Sequence, residues 1–304
     1  MAVKNTGRGA PPLEDIAQGW RGRLLRNRNG KALACLQNAL VALECAPEWM
    51  GVLAFNESSM AVVAETQPPA SARRAPFVWS DIEDIESAAW MQRNGLYVGR
   101  DIAGQAIQAA ARKRSFHPVR DYLNGLAWDR IKRIDDWLLL YLGADATAYT
   151  RAAGAKWLIG AAARVFQPGC KNDSCLILEG EQGAGKSTAL RILGGEWFSD
   201  DMPELGSKDA ALNTRGVWII ELSELDAMTA AEVSRIKAFM SRAVDRFRPP
   251  YGRHPIDAPR ECVFAGTSNH DVYLKDETGG RRFWPIRCGP KLNLADLRRD
   301  RDQL

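Results

Sequence analysis

The sequence predicts an α/β protein with a largely parallel sheet, preceded by a smaller, mostly helical N-terminal region. From about residue 174, short apolar runs alternate with segments of helical periodicity, as in sheets whose parallel strands are joined by helices. A glycine-rich segment links the first of these strands to the first helix. Before residue 174, apolar residues recur mainly at spacings of three and four, which favours helices.

The N-terminal half is predicted to contain more helices than strands. Its elements are a helix over residues 31–44, a hairpin over 52–65, and helices over 81–94, 101–114, 131–142 and 149–166. A loop rich in Pro, Ala and Arg at residues 66–76 marks a boundary. We therefore expect three parts: residues 1–75 with a helix and a hairpin, a helical or winged module over 76–145, and the α/β domain over 146–304.

The α/β domain is predicted from three buried strands and the helices between them. The strands are expected over residues 175–178, 217–220 and 262–265, and the first helix over 186–193. Thr229 and Glu232 form a capping box that predicts the start of a second helix. The sequence stops within a predicted helix over 296–304 that has no stop signal, and it leaves open whether the natural chain extends past Leu304.

Composition excludes several classes of protein. The 304 residues are 46% hydrophobic and carry a formal net charge of +4, which is typical of a soluble globular chain. None of the six cysteines lies in a Cys-x-x-Cys pair, which favours reduced thiols over a zinc site. The N-terminus lacks the apolar segment of a signal peptide, and no apolar run approaches the ~20 residues of a membrane helix. We expect a cytoplasmic protein with no membrane partner.

The glycine-rich segment matches the phosphate-binding pattern G-x-x-x-x-G-K-[ST]. Glycines let successive backbone N–H groups point into one concavity, and the start of the following helix favours negative charge. Lys186 is expected to reach the β- and γ-phosphates of ATP, and Ser187 to hold Mg²⁺. The expected nucleotide-binding residues are Gly180, Glu181, Gln182, Gly183, Ala184, Gly185, Lys186, Ser187 and Thr188.

Hydrolysis also needs a carboxylate on the metal and a group that orients the attacking water. Glu221 and Glu224 follow the apolar run of the second strand, and we expect them to divide these two roles in an order that the sequence leaves open. Asn269 follows the third strand and would stand beside the γ-phosphate if that strand neighbours the first. Each of these residues could instead be an ordinary polar residue at a strand end.

Two arginine-rich segments complete the candidate site. Arg281 or Arg282, after two glycines, could reach the γ-phosphate of a neighbouring subunit and stabilise transition-state charge. Residues 241–260 hold five arginines with interleaved aromatic side chains, a combination that suits single-stranded DNA, although a solvated surface loop would look similar. The expected DNA-binding residues are Arg246, Arg248, Tyr251, Arg253 and His254.

Several uncommon motifs together resemble the virulence-associated protein E family. They are the stretches over residues 117–123, 126–129, 168–171, 180–187, 221–226, 248–253, 266–269 and 280–285, and the resemblance extends over most of the chain after residue 80. That family is encoded by phages, prophages and pathogenicity islands. It is similar to the superfamily 3 helicases, whose AAA+-like cores form hexameric rings.

The resemblance implies an ATP-dependent DNA helicase that replicates a phage or other mobile element. Lys186 and Ser187 would then be Walker A residues, Glu221 or Glu224 Walker B, Asn269 the sensor, and Arg281 or Arg282 the finger. The chain lacks the adjacent acids of the viral Walker B motif, so the base stays unassigned. The implied partners are single-stranded DNA in a ring channel, further copies of the chain in a hexamer, and replication proteins. The alternative is an ATP-controlled oligomeric initiator or regulator that binds DNA without unwinding it.

Overall fold

The computed structural model describes residues 19–69, 71–201, 210–223, 229–248, 254–269 and 280–304. The chain forms two compact units, Met1–Phe116 and His117–Leu304. Residues 76–145, which we expected to form one module, therefore fall on both sides of the boundary between the units.

Among its described residues, the first unit combines four helices with a four-stranded sheet. Its strands are ordered β3-β2-β1-β4, in which β4 runs parallel to β1 and the other pairs are antiparallel. The hairpin expected over residues 52–65 is present as β1 and β2. The elements are α1 (Gly19–Gly22), α2 (Leu36–Cys45), β1 (Leu53–Asn56), β2 (Ala61–Ala64), β3 (Phe77–Val78), α3 (Asp81–Arg93), α4 (Arg100–Ala111) and β4 (Ser115–Phe116).

Aromatic side chains form much of the core of the first unit. Trp20 stacks on Trp90 with ring centroids 5.9 Å apart, and Trp49 meets the edge of Trp90 at 5.6 Å. Such pairs add to the stabilisation that apolar burial already provides. Helix α3 begins with a full capping box between Ser80 and Glu83, which explains why it starts where the sequence predicts.

The second unit contains a five-stranded sheet in which every pair of neighbours is parallel. Its order is β11-β5-β10-β7-β6. The expected α/β class with a parallel sheet is therefore confirmed. The elements are α5 (Pro118–Gly125), α6 (Trp137–Leu142), α7 (Ala148–Phe166), β5 (Cys175–Glu179), α8 (Lys186–Gly194), β6 (Phe198–Ser199), β7 (Ile219–Leu222), α9 (Ala230–Met240), β8 (Val244–Phe247), β9 (Ile256–Pro259), β10 (Val263–Ser268), β11 (Phe283–Arg287) and α10 (Leu294–Asp300).

Some predicted bounds were wrong. The helix expected over residues 31–44 begins only at Leu36, and the one expected over 131–142 only at Trp137. Strand β11 was missed because Pro285 lies within it. It lies at the edge of the sheet, the position in which a strand tolerates a proline that cannot donate a hydrogen bond.

Strands β8 and β9 form a separate antiparallel hairpin. Asp245 and Arg260 join its base through two hydrogen bonds, and both side chains are buried. Arg260 also donates to the backbone oxygen of Phe239 and lies over the Phe239 ring. The arginine-rich segment over residues 241–260 is therefore not uniformly a surface for nucleic acid, because Arg260 belongs to the protein interior.

Candidate functional site

The glycine-rich segment lies where the sequence places it, between the carboxyl end of β5 and the start of α8. Gly183 and Gly185 have φ angles of +79° and +100°, which side-chain-bearing residues rarely adopt. A Cβ atom on Gly185 would also lie 2.9 Å from Leu294 Cδ1. The backbone angle favours glycine at residue 185, and a larger residue would also have to displace the Leu294 side chain of α10.

Lys186 is the first residue of α8, and its side chain is buried. Its ammonium group donates to the backbone oxygens of Gly180 at 2.7 Å and Glu181 at 2.8 Å. It also donates to Asn269 Oδ1 at 3.2 Å. Asn269 follows β10, the neighbour of β5, so the structure brings together the lysine and the asparagine that the sequence singled out.

Glu221 lies on β7 with its side chain 1% exposed. Its Oε1 accepts hydrogen bonds from the hydroxyl groups of Ser187, at 2.6 Å, and Thr267, at 2.8 Å. Sequence reasoning missed Thr267 as a partner of this carboxylate. Its place near the end of β10, beside β7, was the available signal.

The second carboxylate oxygen of Glu221 is also buried, and it has no hydrogen-bond partner among the described residues. Burying an unpaired carboxylate oxygen is costly unless another group compensates its charge. A carboxylate oxygen next to a serine hydroxyl is a ligand set that Mg²⁺ accepts. The residues present therefore fit a magnesium ion between Ser187 and Glu221.

Burial shapes the electrostatics around the loop. Cys288 lies beside Gly180, and burial raises the pKa of its thiol to about 12 although the Lys186 ammonium opposes the shift. Its backbone N–H donates to the oxygen of Glu179 at 2.8 Å. Burial and the charge of Glu179 also raise the pKa of Tyr149, at the start of α7. The Cys288 thiol is thus shielded from water, whereas Tyr149 is half-exposed.

Arg281 and Arg282 lie at the amino-terminal ends of the strands of the same sheet, opposite the ends that carry the glycine-rich segment. They occupy a 3₁₀ turn before β11, whose first residue is in register with the first residue of β5. The segment over residues 180–187 follows the last residue of β5, roughly 16 Å away for a strand of this length. The structure thus does not bring either arginine to the glycine-rich segment of its own chain.

The predicted DNA-binding residues that the structure describes belong to the hairpin of β8 and β9. Arg246 and Arg248 are exposed, and Arg246 forms an exposed ion pair of 3.7 Å with Asp257. His254 is exposed just before β9. Glu224, Tyr251 and Arg253 lie outside the described residues, so their roles stay predictions.

Comparison with known proteins identifies the family of this chain. The model of the virulence-associated protein E-like domain matches residues 123–304, which is more than half of the chain. The chain belongs to this family. Among curated proteins no relative matches it. The described residues include no helix long and apolar enough to cross a membrane.

Solved structures similar to this family member include the C-terminal region of NrS-1. One apo form has 16% identity and a TM-score of 0.49, and covers 83% of this chain and 64% of the other. A second, of NrS-1 residues 305–718, has 14% identity and a TM-score of 0.48 at the same coverage. The chain thus spans less than two thirds of the length of the NrS-1 chains that it matches.

Proposed function

We propose that this chain is a P-loop ATP hydrolase with an AAA+-like core, and that it drives a DNA helicase in the replication of a phage or other mobile element. The observation that carries the proposal is the convergence of Lys186, Ser187, Glu221 and Asn269. They come from three separate segments and meet at the carboxyl ends of three parallel strands, where such sheets bind ligands.

Each residue has a role in this reaction. Lys186 already lies against the backbone oxygens of the loop, and the β- and γ-phosphate oxygens of ATP would replace those oxygens as its acceptors. Ser187 and Glu221 would hold Mg²⁺, which when bound neutralises charge on the phosphate oxygens. Asn269, beside Lys186, would sense the γ-phosphate or orient the attacking water. Because the Glu221 carboxylate accepts a hydrogen bond from Ser187 and would hold the metal with it, we assign activation of the attacking water to Glu224.

Two further parts make the enzyme a motor. The distance of Arg281 and Arg282 from the loop of their own chain supports a role for one of them at the nucleotide of a neighbouring copy, as in a hexameric ring. The hairpin of β8 and β9 carries exposed Arg246, Arg248 and His254, which suit contacts with single-stranded DNA. The buried ion pair of Asp245 and Arg260 at its base would hold the hairpin in the position that these contacts need.

Unwinding of forked DNA tests this function against the alternative of a DNA-binding initiator. We expect the wild-type chain to separate the strands when ATP and Mg²⁺ are present, and Lys186→Ala to abolish separation. Lys132→Ala, which makes the same chemical change at an exposed residue, serves as the control and should retain activity. ATP-dependent assembly on DNA without strand separation would refute the helicase and favour the initiator.

A further inference from the structure

A loop rich in positive charge lies between α1 and α2 of the first unit. We call residues 25–33 the basic loop. Five exposed cations lie in it or just before it, namely Arg21, Arg23, Arg26, Arg28 and Lys31. The sequence holds no Asp or Glu from residue 16 to residue 43, so no negative side chain interrupts this stretch of positive charge.

Backbone hydrogen bonds give the basic loop the form of a short antiparallel hairpin. The N–H of Asn27 donates to the backbone oxygen of Lys31 at 2.9 Å, and the N–H of Leu33 donates to that of Leu25 at 2.9 Å. Gly30, at the tip, has a φ angle of +76°, which glycine adopts at no steric cost. The tip of the basic loop thus closes as a tight turn.

A buried asparagine fixes the base of the basic loop. Asn38, on α2, is 0% exposed. Its side chain accepts from the N–H of Leu25 at 2.7 Å and donates to the backbone oxygens of Leu25, at 2.8 Å, and Leu33, at 2.9 Å. Across the tip, the Arg26 guanidinium donates to the oxygen of Gly30 at 2.8 Å. The basic loop therefore has a defined shape before any ligand binds, which lowers the entropic cost of binding.

Two cations of the basic loop are available to a ligand. Among the described residues, the side chains of Arg28 and Lys31 have no partner. A second cluster of cations in the same unit, at residues 112–114, is instead engaged by carboxylates. Lys113 pairs with Glu44 at 2.6 Å, and Arg114 pairs with Glu65 at 2.8 Å. The basic loop, rather than that cluster, offers unpaired positive charge.

The chemistry of the basic loop fits the phosphate groups of double-stranded DNA. Duplex DNA presents one negative charge per ~1.7 Å of its axis, and its major groove admits a two-stranded β-ribbon. Residues 25–33 include no aromatic side chain, and Trp20 before them is buried, so they offer no platform on which unpaired bases could stack. They also lack the aromatic anchors of protein interfaces, in which lysine is depleted. Duplex DNA is therefore favoured over a single strand and over an acidic protein.

We propose that the basic loop binds the phosphate backbone of double-stranded DNA, through Arg28 and Lys31 with Arg26 beside them. The loop precedes residues 123–304, which match the family model, so the contact belongs to the first unit. It needs neither nucleotide nor hydrolysis. The proposal therefore goes beyond the proposed function and does not depend on it.

Binding of a fluorescently labelled, blunt-ended duplex to the full chain, followed by anisotropy without nucleotide, tests the proposal. The logarithm of the association constant should fall linearly with the logarithm of salt concentration, with a slope of about −0.9 for each phosphate contact. One contact therefore contributes about eightfold in affinity at about 0.1 M salt, relative to about 1 M. Arg28→Ala and Lys31→Ala should each weaken binding by about eightfold at 0.1 M salt and make the slope less steep by about 0.9.

Matched variants separate the basic loop from charge in general and from folding. Arg74→Ala and Lys132→Ala remove exposed cations outside the basic loop, and both should bind the duplex as the wild type does. Arg28→Lys keeps the charge and should retain most of the affinity. Because Arg28 and Lys31 are exposed, the double variant Arg28→Ala, Lys31→Ala should keep the urea midpoint of the wild type.

Three outcomes would overturn the proposal. The first is duplex binding by the double variant with the affinity and the salt slope of the wild type. The second is an equal loss of binding to a single strand of the same length, since that would remove the preference for a duplex. The third is stronger competition by polyglutamate than by unlabelled duplex at equal charge concentration, which would indicate an acidic protein. Failure of the proposed function looks different, since the wild-type chain would then hydrolyse no ATP while the duplex still binds through the basic loop.

Discussion

Substitution of Arg260 by Met gives a sharp test of how the hairpin of β8 and β9 is held. Arg260 is 1% exposed, and its guanidinium makes two hydrogen bonds to Asp245, one of them of 2.9 Å between Nε and Oδ2. Methionine would fill part of the space between the Phe239 and Phe264 rings. The Asp245 carboxylate would remain buried without its partner.

The expected cost follows from the burial of both groups. Removing one member of a buried ion pair costs about 3–5 kcal/mol, because it leaves an uncompensated charge, whereas replacing both members by apolar residues is often neutral. Arg260→Met should therefore lower the free energy of unfolding by about 4 kcal/mol. The double variant Asp245→Leu, Arg260→Met should recover most of that loss.

Urea unfolding followed by circular dichroism measures both variants. With a slope of about 2 kcal/mol per M, Arg260→Met should lower the midpoint by about 2 M. A matched exposed substitution, Arg246→Met, breaks the surface ion pair with Asp257 and should cost no more than about 1 kcal/mol. A cost for Arg260→Met as small as that for Arg246→Met, or a double variant less stable than the single one, would refute a buried ion pair that holds the hairpin.

Three further predictions concern the candidate site and its support. Glu221→Gln should raise the Mg²⁺ concentration for half-maximal ATP hydrolysis by about tenfold or more, as loss of a metal-supporting group usually does; an unchanged value would remove Glu221 from the metal site. Gly185→Ala should lower the free energy of unfolding by about 1–3 kcal/mol, because residue 185 has a positive φ angle and a close neighbour in Leu294. Gly125→Ala, with open space around it, should cost less than about 0.5 kcal/mol in the same urea titration, and equal costs would contradict the account. Hydrogen bonds from Arg299 and Tyr141 lower the pKa of Asp300 to about 2. The ionised carboxylate therefore stabilises the folded chain fully above its ordinary pKa of about 4, and this stabilisation is lost as the pH falls towards 2. Urea unfolding at a series of pH values should show that Asp300→Asn flattens this part of the profile of stability against pH. A variant profile parallel to that of the wild type would refute the prediction.

The sequence predicted the parts of the α/β unit in which local signals and burial agree. Apolar strands flanked by turn residues gave β5, β7 and β10, and the capping box at Thr229 gave the start of α9. At the site, the pattern over residues 180–187 and the polar ends of two strands indicated that Lys186, Glu221 and Asn269 belong together.

Features that depend on distant residues could not be predicted in this way. Arg260 looked like one more arginine in a basic segment, and only its contact with Asp245 across the hairpin reveals a buried residue. Strand β11 was missed because Pro285 argues against a strand until the edge position is known. The cavity next to the turn before β11 is lined by residues of 156–174 and of 281–284, which are more than 100 positions apart, so no local pattern indicates it.

ATP hydrolysis, with and without single-stranded DNA, is the most direct test of the central claim. We expect that the wild-type chain hydrolyses ATP in the presence of Mg²⁺, that single-stranded DNA stimulates the rate, and that Lys186→Ala abolishes hydrolysis while Lys132→Ala does not. A wild-type chain with no hydrolysis, or hydrolysis that survives Lys186→Ala, would contradict the assignment of residues 180–187 as the catalytic loop. Hydrolysis indifferent to DNA would contradict the motor.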